Sequence, residues 1–304
     1  MAAGETGVGG PGGSGPGASG PGGEMGAGEL IYEERGDAAF ITLNRPAVHN
    51  ALSRALSDQL IAAIERVRAS ESLHILVLQG AGQSFCVGDD IKEMPHWGDA
   101  NDAMRRARYY QNMANQLEEL DKITIAAVDG FAVGGGLELT MACDFVIATE
   151  RSRWGMPEVD VGLTPGWGGT TRMSRLIGRR LTKEINMIGA LHPARRAVEW
   201  RLWNRVVPDG TLQAEVAGLI SVLRTKHQQG LRQLKFIINR GVECDLYTAQ
   251  GFEALSGALV FAINGYWEIP DADKGAGFTA FADKGDLWQR RRAAAVTFWA
   301  DDDA

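Results

Sequence analysis

Three short stretches combine residue types and spacings suited to chemistry on a polarised carbonyl. In Ile125 to Asp144, IAAVDGFAVGGGLELTMACD, an apolar run ends at Val128, a turn follows at Asp129-Gly130, and Gly134-Gly135-Gly136 opens an apolar helix beginning near Leu137. Glycines at a helix start let backbone amides face outward, where unpaired N–H groups and the helix dipole favour developing negative charge. An oxyanion hole is built in this way. A triple glycine is equally a tight packing turn, so this stretch alone leaves both roles open. Glu138 lies three residues after Gly135 and shares its helical face. Glu158, in WGMPEV, follows twenty residues later between Pro157 and Val159. Two carboxylates in partly apolar settings are what acid–base work at neutral pH requires, one holding a proton and one accepting it. Spacing does not by itself bring them together, and either could be a solvated charge. The third stretch, SFCVGDDIKEM (Ser84 to Met94), places Gly88 at a sharp turn with the amide of Asp89 available to a ligand; the plainer reading is an acidic surface loop with a helix cap at Asp90. None of the glycines forms G-x-G-x-x-G or G-x-x-x-x-G-K-[ST], so nucleotide-phosphate motifs are not supported.

These segments need a frame. Short β-type runs recur at Phe40 to Leu43, Ile75 to Leu78, Thr124 to Val128, Phe145 to Ala148 and Arg205 to Val207. Leu52, Leu56, Leu60, Ile64 and Val67 repeat at helical spacing after Asn50, a suitable cap. A second amphipathic helix runs through Met104, Ala107, Tyr110, Met113 or Ala114, Leu117 and Leu120. Strands alternating with helices predict an α/β domain. From Arg195 onward the pattern becomes mostly helical, with Ala214 to Thr225, Gly230 to Val242 and Thr248 to Ile263 as helices, and no period of 20 to 50 residues marks a solenoid.

Composition narrows the class. Of 39 glycines in 304 residues, 13 fall within Met1 to Gly28, together with Pro11, Pro16 and Pro21. Such a segment buries too little apolar surface to offset its ordering entropy, so it reads as a disordered leader. It has neither the cationic start nor the apolar run of a secretory signal, and its first basic residue is Arg35. The rest, 45% apolar and 23% charged over the whole chain, suits one large domain, with no apolar run near the roughly 18 residues of a membrane span. A net charge of −7 gives no global attraction to nucleic acid or anionic lipid. Cys86, Cys143 and Cys244 are odd in number and lack partners at metal-ligand spacing, so they read as small core residues in a reducing compartment, with no metal and a cytoplasmic location expected.

Together the motifs resemble the crotonase family, also called the enoyl-CoA hydratase/isomerase superfamily, from Leu30 to about Gly285. The family's N-R-P-x-x-x-N-A-L stands here as NRPAVHNAL (Asn44 to Leu52), its A-G-x-D-[IL]-K loop as VGDDIK (Val87 to Lys92) and its G-G-G-x-E-L as GGGLEL (Gly134 to Leu139). GMPE (Gly155 to Glu158) and PGWGGTTRM (Pro165 to Met173) complete an ordered set of five. The resemblance implies an α/β fold, a spiral of ββα units followed by helices that trimerise, often as a dimer of trimers. It divides the chain into the leader (1–28), the core with its active site (29–210), a helical C-terminal region (211–285) and an extension of unassigned role (286–304). It implies that the amides of Asp89 and Gly135 hold the carbonyl of a coenzyme A thioester, that Glu138 and Glu158 are the catalytic pair of a 2-enoyl-CoA hydratase, and that Asp90, Ile91, Lys92, Phe281 and Lys284 contact the substrate or its coenzyme A. Coenzyme A is then part of the substrate, with no separate cofactor, no nucleic acid and no membrane as partner.

Several positions depart from the family pattern. Asp89 stands where a small or neutral residue is usual; its side chain is expected to point to solvent, the alternative being that it addresses a polar group on the acyl chain. The basic residue that often follows N-R-P is Ala47, leaving Arg45, His49 or Lys92 to hold the nucleotide end of coenzyme A. Asn264 to Pro270 looks like an insertion in which Tyr266 and Trp267 pack or wall the pocket, and Trp154 and Trp167 are expected to shape it. Isomerase or hydrolase chemistry on a polar or cyclic acyl group is the alternative activity. A non-catalytic coenzyme A- or RNA-binding relative is a third reading, resting on Arg105, Arg106, Arg108 and Arg290 to Arg292.

Overall fold

The computed structural model of the chain describes residues 28–93 and 98–263. The leader up to residue 27, the Asn264 to Pro270 insertion, Phe281, Lys284 and the extension from Asp286 lie outside the described residues.

Six strands form the main sheet in the order β1 (Leu30–Arg35), β2 (Ala38–Leu43), β3 (Ile75–Gly80), β5 (Ile123–Val128), β7 (Phe145–Thr149), β10 (Arg205–Val207). Only β1 and β2 run antiparallel; the other neighbours are parallel. A second sheet holds β4 (Ser84–Cys86), β6 (Phe131–Val133), β8 (Arg153–Gly155) and β9 (His192–Pro193). Each of the strands β3, β5 and β7 is thus followed by a three-residue strand of the second sheet and then by a helix: α2 (Ala100–Glu118), α3 (Gly135–Met141) and α4 (Thr171–Ile188). This repeated strand–strand–helix advance is the spiral of ββα units that the resemblance implies. The helices α1 (Arg54–Ala69), α5 (Ala194–Glu199) and α6 (Leu212–Arg224) complete the core.

The near-continuous apolar runs in β3 and β5 follow from burial of the main sheet on both faces. Alternate residues feed different cores. Leu76, Leu78, Ala126 and Val128 join Leu56, Leu60 and Ile64 of α1 on one side. Ile75, Val77, Ile123 and Ile125 meet Val216, Leu219, Ile220 and Leu223 of α6 on the other. Each fully buried Leu, Ile or Val contributes roughly 1.5–3 kcal/mol, so this double layer is a firm base for the loops at the strand ends.

The expected helices form, with shifted ends. The cap of α1 is Ser53, whose side chain accepts the Leu56 amide, and not Asn50. Asn50 instead sits at φ +56° and ties a turn, accepting the Arg45 amide and donating to the Ala81 and Ser84 carbonyls. The three C-terminal helices appear as α6, α7 (Gln228–Gly241) and α8 (Leu246–Ile263). Of α8 only Ser256 is buried, and its mean hydropathy of 1.2 over 18 residues makes it long and apolar enough to cross a membrane by length and composition. No uninterrupted apolar run revealed this, because Thr248, Gln250 and Glu253 are interspersed.

Candidate active site

The loop after β4 and the start of α3 meet at one place. Leu52 donates its amide to the Gly88 carbonyl at 2.8 Å, and Asp90 donates to the Leu52 carbonyl at 3.1 Å, a one-residue parallel bridge between Leu52 and Asp89. In such a bridge the flanked residue turns its own N–H and C=O to the opposite side, so the Asp89 amide faces away from Leu52. Gly88, at φ +86°, lies so close to the helix start that a Cβ there would stand 2.8 Å from the Gly135 nitrogen. Gly135 is the first residue of α3, and its amide precedes the first intrahelical bond, from the Glu138 amide to the Gly134 carbonyl at 3.0 Å. The fold therefore brings together the two segments whose amides the sequence put forward as an oxyanion hole. A side chain at 135 is excluded as well, since a Cβ would stand 2.3 Å from the Trp167 ring.

The loop is braced from behind. Arg45 donates to an Asp90 carboxylate oxygen at 2.9 Å and to the Ala51 carbonyl at 2.7 Å, and pairs with Glu29 at 2.9 Å. The Asp90 carboxyl also accepts the Lys92 amide. Burial works against its charge, yet the Arg45 guanidinium and the Lys92 amide hold it below the usual carboxylate range. Asp90 thus faces Arg45, and Arg45 is committed to the loop. His49 is engaged with the Ser84 hydroxyl at 2.8 Å. Ile91 and Lys92 are exposed, which leaves Lys92 the freest of the three cations considered for coenzyme A.

Two glutamates converge on this place. Glu138, in the first turn of α3, is 1% exposed, and its Oε1 accepts the amides of Trp167 at 2.8 Å and Gly169 at 2.6 Å. Burial pushes its carboxyl up to about 7; the two amides oppose this, and the charges of Glu158 and Asp89 add to it. Glu158 stands in the 3-10 turn Pro157–Val161 that follows β8. Its Oε1 would be 3.0 Å from a Cβ on Gly134, which puts it beside the glycine run, and its Oε2 is buried with no hydrogen-bond partner among the described residues. Burial raises its pKa too.

The structure corrects the expectation for Asp89. Its side chain is half-buried, with the Tyr110 hydroxyl in its surroundings; its charge raises the Glu138 carboxyl, and the Glu158 charge acts on Asp89 in turn. Burial pushes its carboxyl up to about 7, which Tyr110 and Arg106 oppose and Glu93 and Glu158 reinforce. Sequence reasoning assigned Tyr110 only to the apolar face of α2. The usable signal was its hydroxyl, since a tyrosine at a buried helix position needs a polar partner. Trp167 also does more than fill space: its backbone amide holds Glu138, while its ring covers Gly135 and stacks on Tyr110 at 4.3 Å. Trp154 does not shape the site. It is fully buried in a core cluster with His192, Trp200 and Trp203, its indole nitrogen donating to the Pro193 carbonyl at 3.1 Å.

No group of three or more His, Cys, Asp or Glu side chains suited to holding a metal occurs among the described residues. The arrangement can polarise a carbonyl between two amides and exchange protons through carboxyls that burial pushes upward.

Comparison with known proteins identifies the family. The profile of the enoyl-CoA hydratase/isomerase family matches residues 33–289. The short-chain-enoyl-CoA hydratase of Clostridium acetobutylicum is 35% identical over 231 residues, 76% of this chain and 88% of that protein. The crotonyl-CoA hydratase of Syntrophomonas wolfei is 34% identical over 84% of this chain and 95% of its own length. Among solved structures, an enoyl-CoA hydratase from Bacillus anthracis superposes with a TM-score of 0.75 at 29% identity, covering 84% of this chain and 97% of that one.

Proposed function

The chain belongs to the enoyl-CoA hydratase/isomerase family, and from that premise we propose that it is a hydro-lyase that adds water across the C2–C3 double bond of a 2-enoyl-CoA thioester. The observation that carries this reading is the pairing of the buried, anchored Glu138 carboxyl with half-buried Glu158, whose Oε2 is shielded and unpartnered among the described residues, beside two outward-facing amides. The thioester oxygen accepts from Asp89 and Gly135, which draws electron density from C3. Each such donor is worth about 3–4 kcal/mol as the oxygen becomes enolate-like. Water attacks C3 while Glu138 takes its proton. Trp167 and Gly169 both bond Oε1, which fixes the carboxylate and leaves Oε2 for the water. Glu158 delivers its proton to C2, and proton exchange between the two carboxyls restores the starting state. Burial of both side chains favours one shared proton over two charges.

Glu158→Gln tests the assignment, read as loss of enoyl absorbance with crotonyl-CoA. A fall in kcat of about 10²–10⁴ in a folded variant is expected; near-normal turnover sinks the role given to Glu158. The half-buried Asp89 favours a second reading, isomerisation or hydrolysis of a polar or cyclic acyl-CoA. Turnover of such thioesters with none on any 2-enoyl thioester selects it. Asp90, Ile91 and Lys92 are proposed to flank the coenzyme A, joined by Phe281 and Lys284. Assembly as a trimer or dimer of trimers is supported by apolar residues left exposed on α7 and α8, including Leu234, Ile238, Leu255 and Leu259. Free Cys86, Cys143 and Cys244 support a reducing, cytoplasmic setting.

A further inference from the structure

The hydration scheme needs one oxygen of Glu138 held and the other presented to water. The holding is done by the turn Trp167-Gly168-Gly169, whose first and last amides both donate to Oε1. Two of its three residues are glycines, so little in the turn itself fixes its shape. Arg172, the second residue of α4, supplies what is missing. Its Nη1 donates to the Trp167 carbonyl at 2.6 Å, and its backbone amide donates to the Gly168 carbonyl at 2.7 Å. The guanidinium is itself seated on α2. Nε and Nη2 donate to one Glu118 oxygen at 3.0 and 2.7 Å, and Nη2 also donates to the Asn115 side-chain oxygen at 2.6 Å. The Arg172 side chain is only 12% exposed, and a Cβ on Gly168 would collide with Nη1, so the fit is close on both sides.

The bonds run in series through the peptide groups. The Gly169 amide shares its peptide with the Gly168 carbonyl, which accepts from Arg172. The Trp167 amide shares its own with the Gly166 carbonyl, which accepts from Gln111 of α2 at 2.7 Å. A carbonyl that accepts a hydrogen bond makes the N–H of the same peptide a stronger donor, so both amides on Glu138 are backed from behind. We propose that Arg172 is a positioning residue for the hydration, clamping the Trp167–Gly169 turn to α2 so that both amides stay on Oε1 of Glu138 and Oε2 keeps facing the water. This role rests on the one given to Glu138 above. A planar fork reaches acceptors on the turn and on α2 at once, which the single nitrogen of a lysine does not.

The test measures Arg172→Met and Arg172→Lys in the full-length protein with crotonyl-CoA. Arg172→Met is expected to lower kcat about 10–100-fold with KM within about twofold of wild type. In a Glu138→Gln background the same substitution is expected to change kcat by less than about twofold, because the group it positions is already gone. An unchanged kcat, or an equal fractional loss in both backgrounds, overturns the proposal. Arg172→Lys keeps the charge and loses the fork, so full kcat in that variant overturns it as well. Should Arg172→Met not fold, Glu118→Gln loosens the same fork from the α2 side and is put through the same comparison of backgrounds. Absence of turnover in wild type refutes hydration instead. The clamp is then judged alone by infrared titration of the Glu138 carboxyl in the resting protein, its band assigned by loss in Glu138→Gln. Amides bonded to the ionised oxygen favour its charge, so freeing them raises the midpoint. A rise of about one pH unit in Arg172→Met is expected, with Glu158 and Asp89, the carboxyls whose charges also act on Glu138, left in place. An unmoved midpoint overturns the proposal.

Discussion

Replacing Glu138 by Gln separates what it costs to bury this charge from what the charge does. The carboxyl is 1% exposed and is pushed from 4.5 up to about 7, first by burial and then by the charges of Glu158 and Asp89. A raised carboxyl pKa means that the native state keeps a proton which the unfolded chain releases near 4.5. Its contribution to stability is therefore complete below pH 4.5, is lost as pH rises through 7, and stays lost above. The displacement from 4.5 to about 7 corresponds to roughly 3 kcal/mol. Glutamine offers the amides of Trp167 and Gly169 the same carbonyl oxygen without the charge. Glu138→Gln is therefore expected to be more stable than wild type by about 2–3 kcal/mol at pH 8, and nearly equal to it at pH 4.5. At about 2–4 °C per kcal/mol for a chain of this size, that is a Tm gap of roughly 5–10 °C closing toward acid pH. Differential scanning calorimetry at fixed protein concentration measures it, and kcat on crotonyl-CoA is expected to fall by about 10²–10⁴ at pH 8 in the same samples. A variant that is inactive and also less stable than wild type at pH 8 would refute the reasoning, because Glu138 would then be a structural anion.

Three further outcomes follow from the same geometry. The pH profile of kcat/KM is expected to rise through about 7 as Glu138 loses its proton and to fall again as Glu158 loses the one it must donate, with both limbs belonging to the coupled carboxyls; a profile flat from pH 5 to 9 contradicts the acid–base roles. Gly135→Ala forces a Cβ within 2.3 Å of the Trp167 ring, so the ring or the helix start must shift; a loss of kcat of about 10²–10³ with about 1–3 kcal/mol of destabilisation is expected, and wild-type kinetics would show that the Gly135 amide is not used. Arg45→Ala leaves the Asp90 carboxyl without its guanidinium and unties the loop that presents Asp89; about 1–3 kcal/mol of stability and a raised KM are expected in denaturant melts and initial rates, and unchanged values of both contradict the bracing role.

The chemistry was legible where a local rule ties residue type to backbone need. Gly88 could be singled out by the need for a sharp turn, Gly135 by its place at a helix start and Glu138 because it shares that glycine's helical face; the close approach that excludes a Cβ at both glycines is what the fold adds. The main strands announced themselves through continuous apolar runs, which double-sided burial demands. The three-residue strands β4, β6 and β8 carry too few side chains for any alternation to register, so the second sheet was invisible. The kinked helix α4 was missed as well, its pattern broken at Gly178 where φ is +79°. Asp89 was misjudged for a different reason. The general preference of aspartate for solvent was applied to a residue half-buried among groups that lie far along the chain on other elements, Tyr110 of α2 and Glu158 after β8. Contacts of that kind are made by the fold, and no local pattern encodes them.

The position of Asp89 constrains how the site works. Its amide is proposed to stabilise a developing oxyanion while its own carboxyl stands no further away than the side chain's reach. Two negative charges at ~5 Å with an effective dielectric constant near 20 repel by roughly 3 kcal/mol, about what one oxyanion donor supplies. An ionised, unsatisfied Asp89 would cancel the contribution of its own backbone. The hole keeps its strength only if the carboxyl holds a proton or if donors absorb its charge. Burial, the Tyr110 hydroxyl and the neighbouring Glu158 all act on that balance, and they leave the group poised near 7.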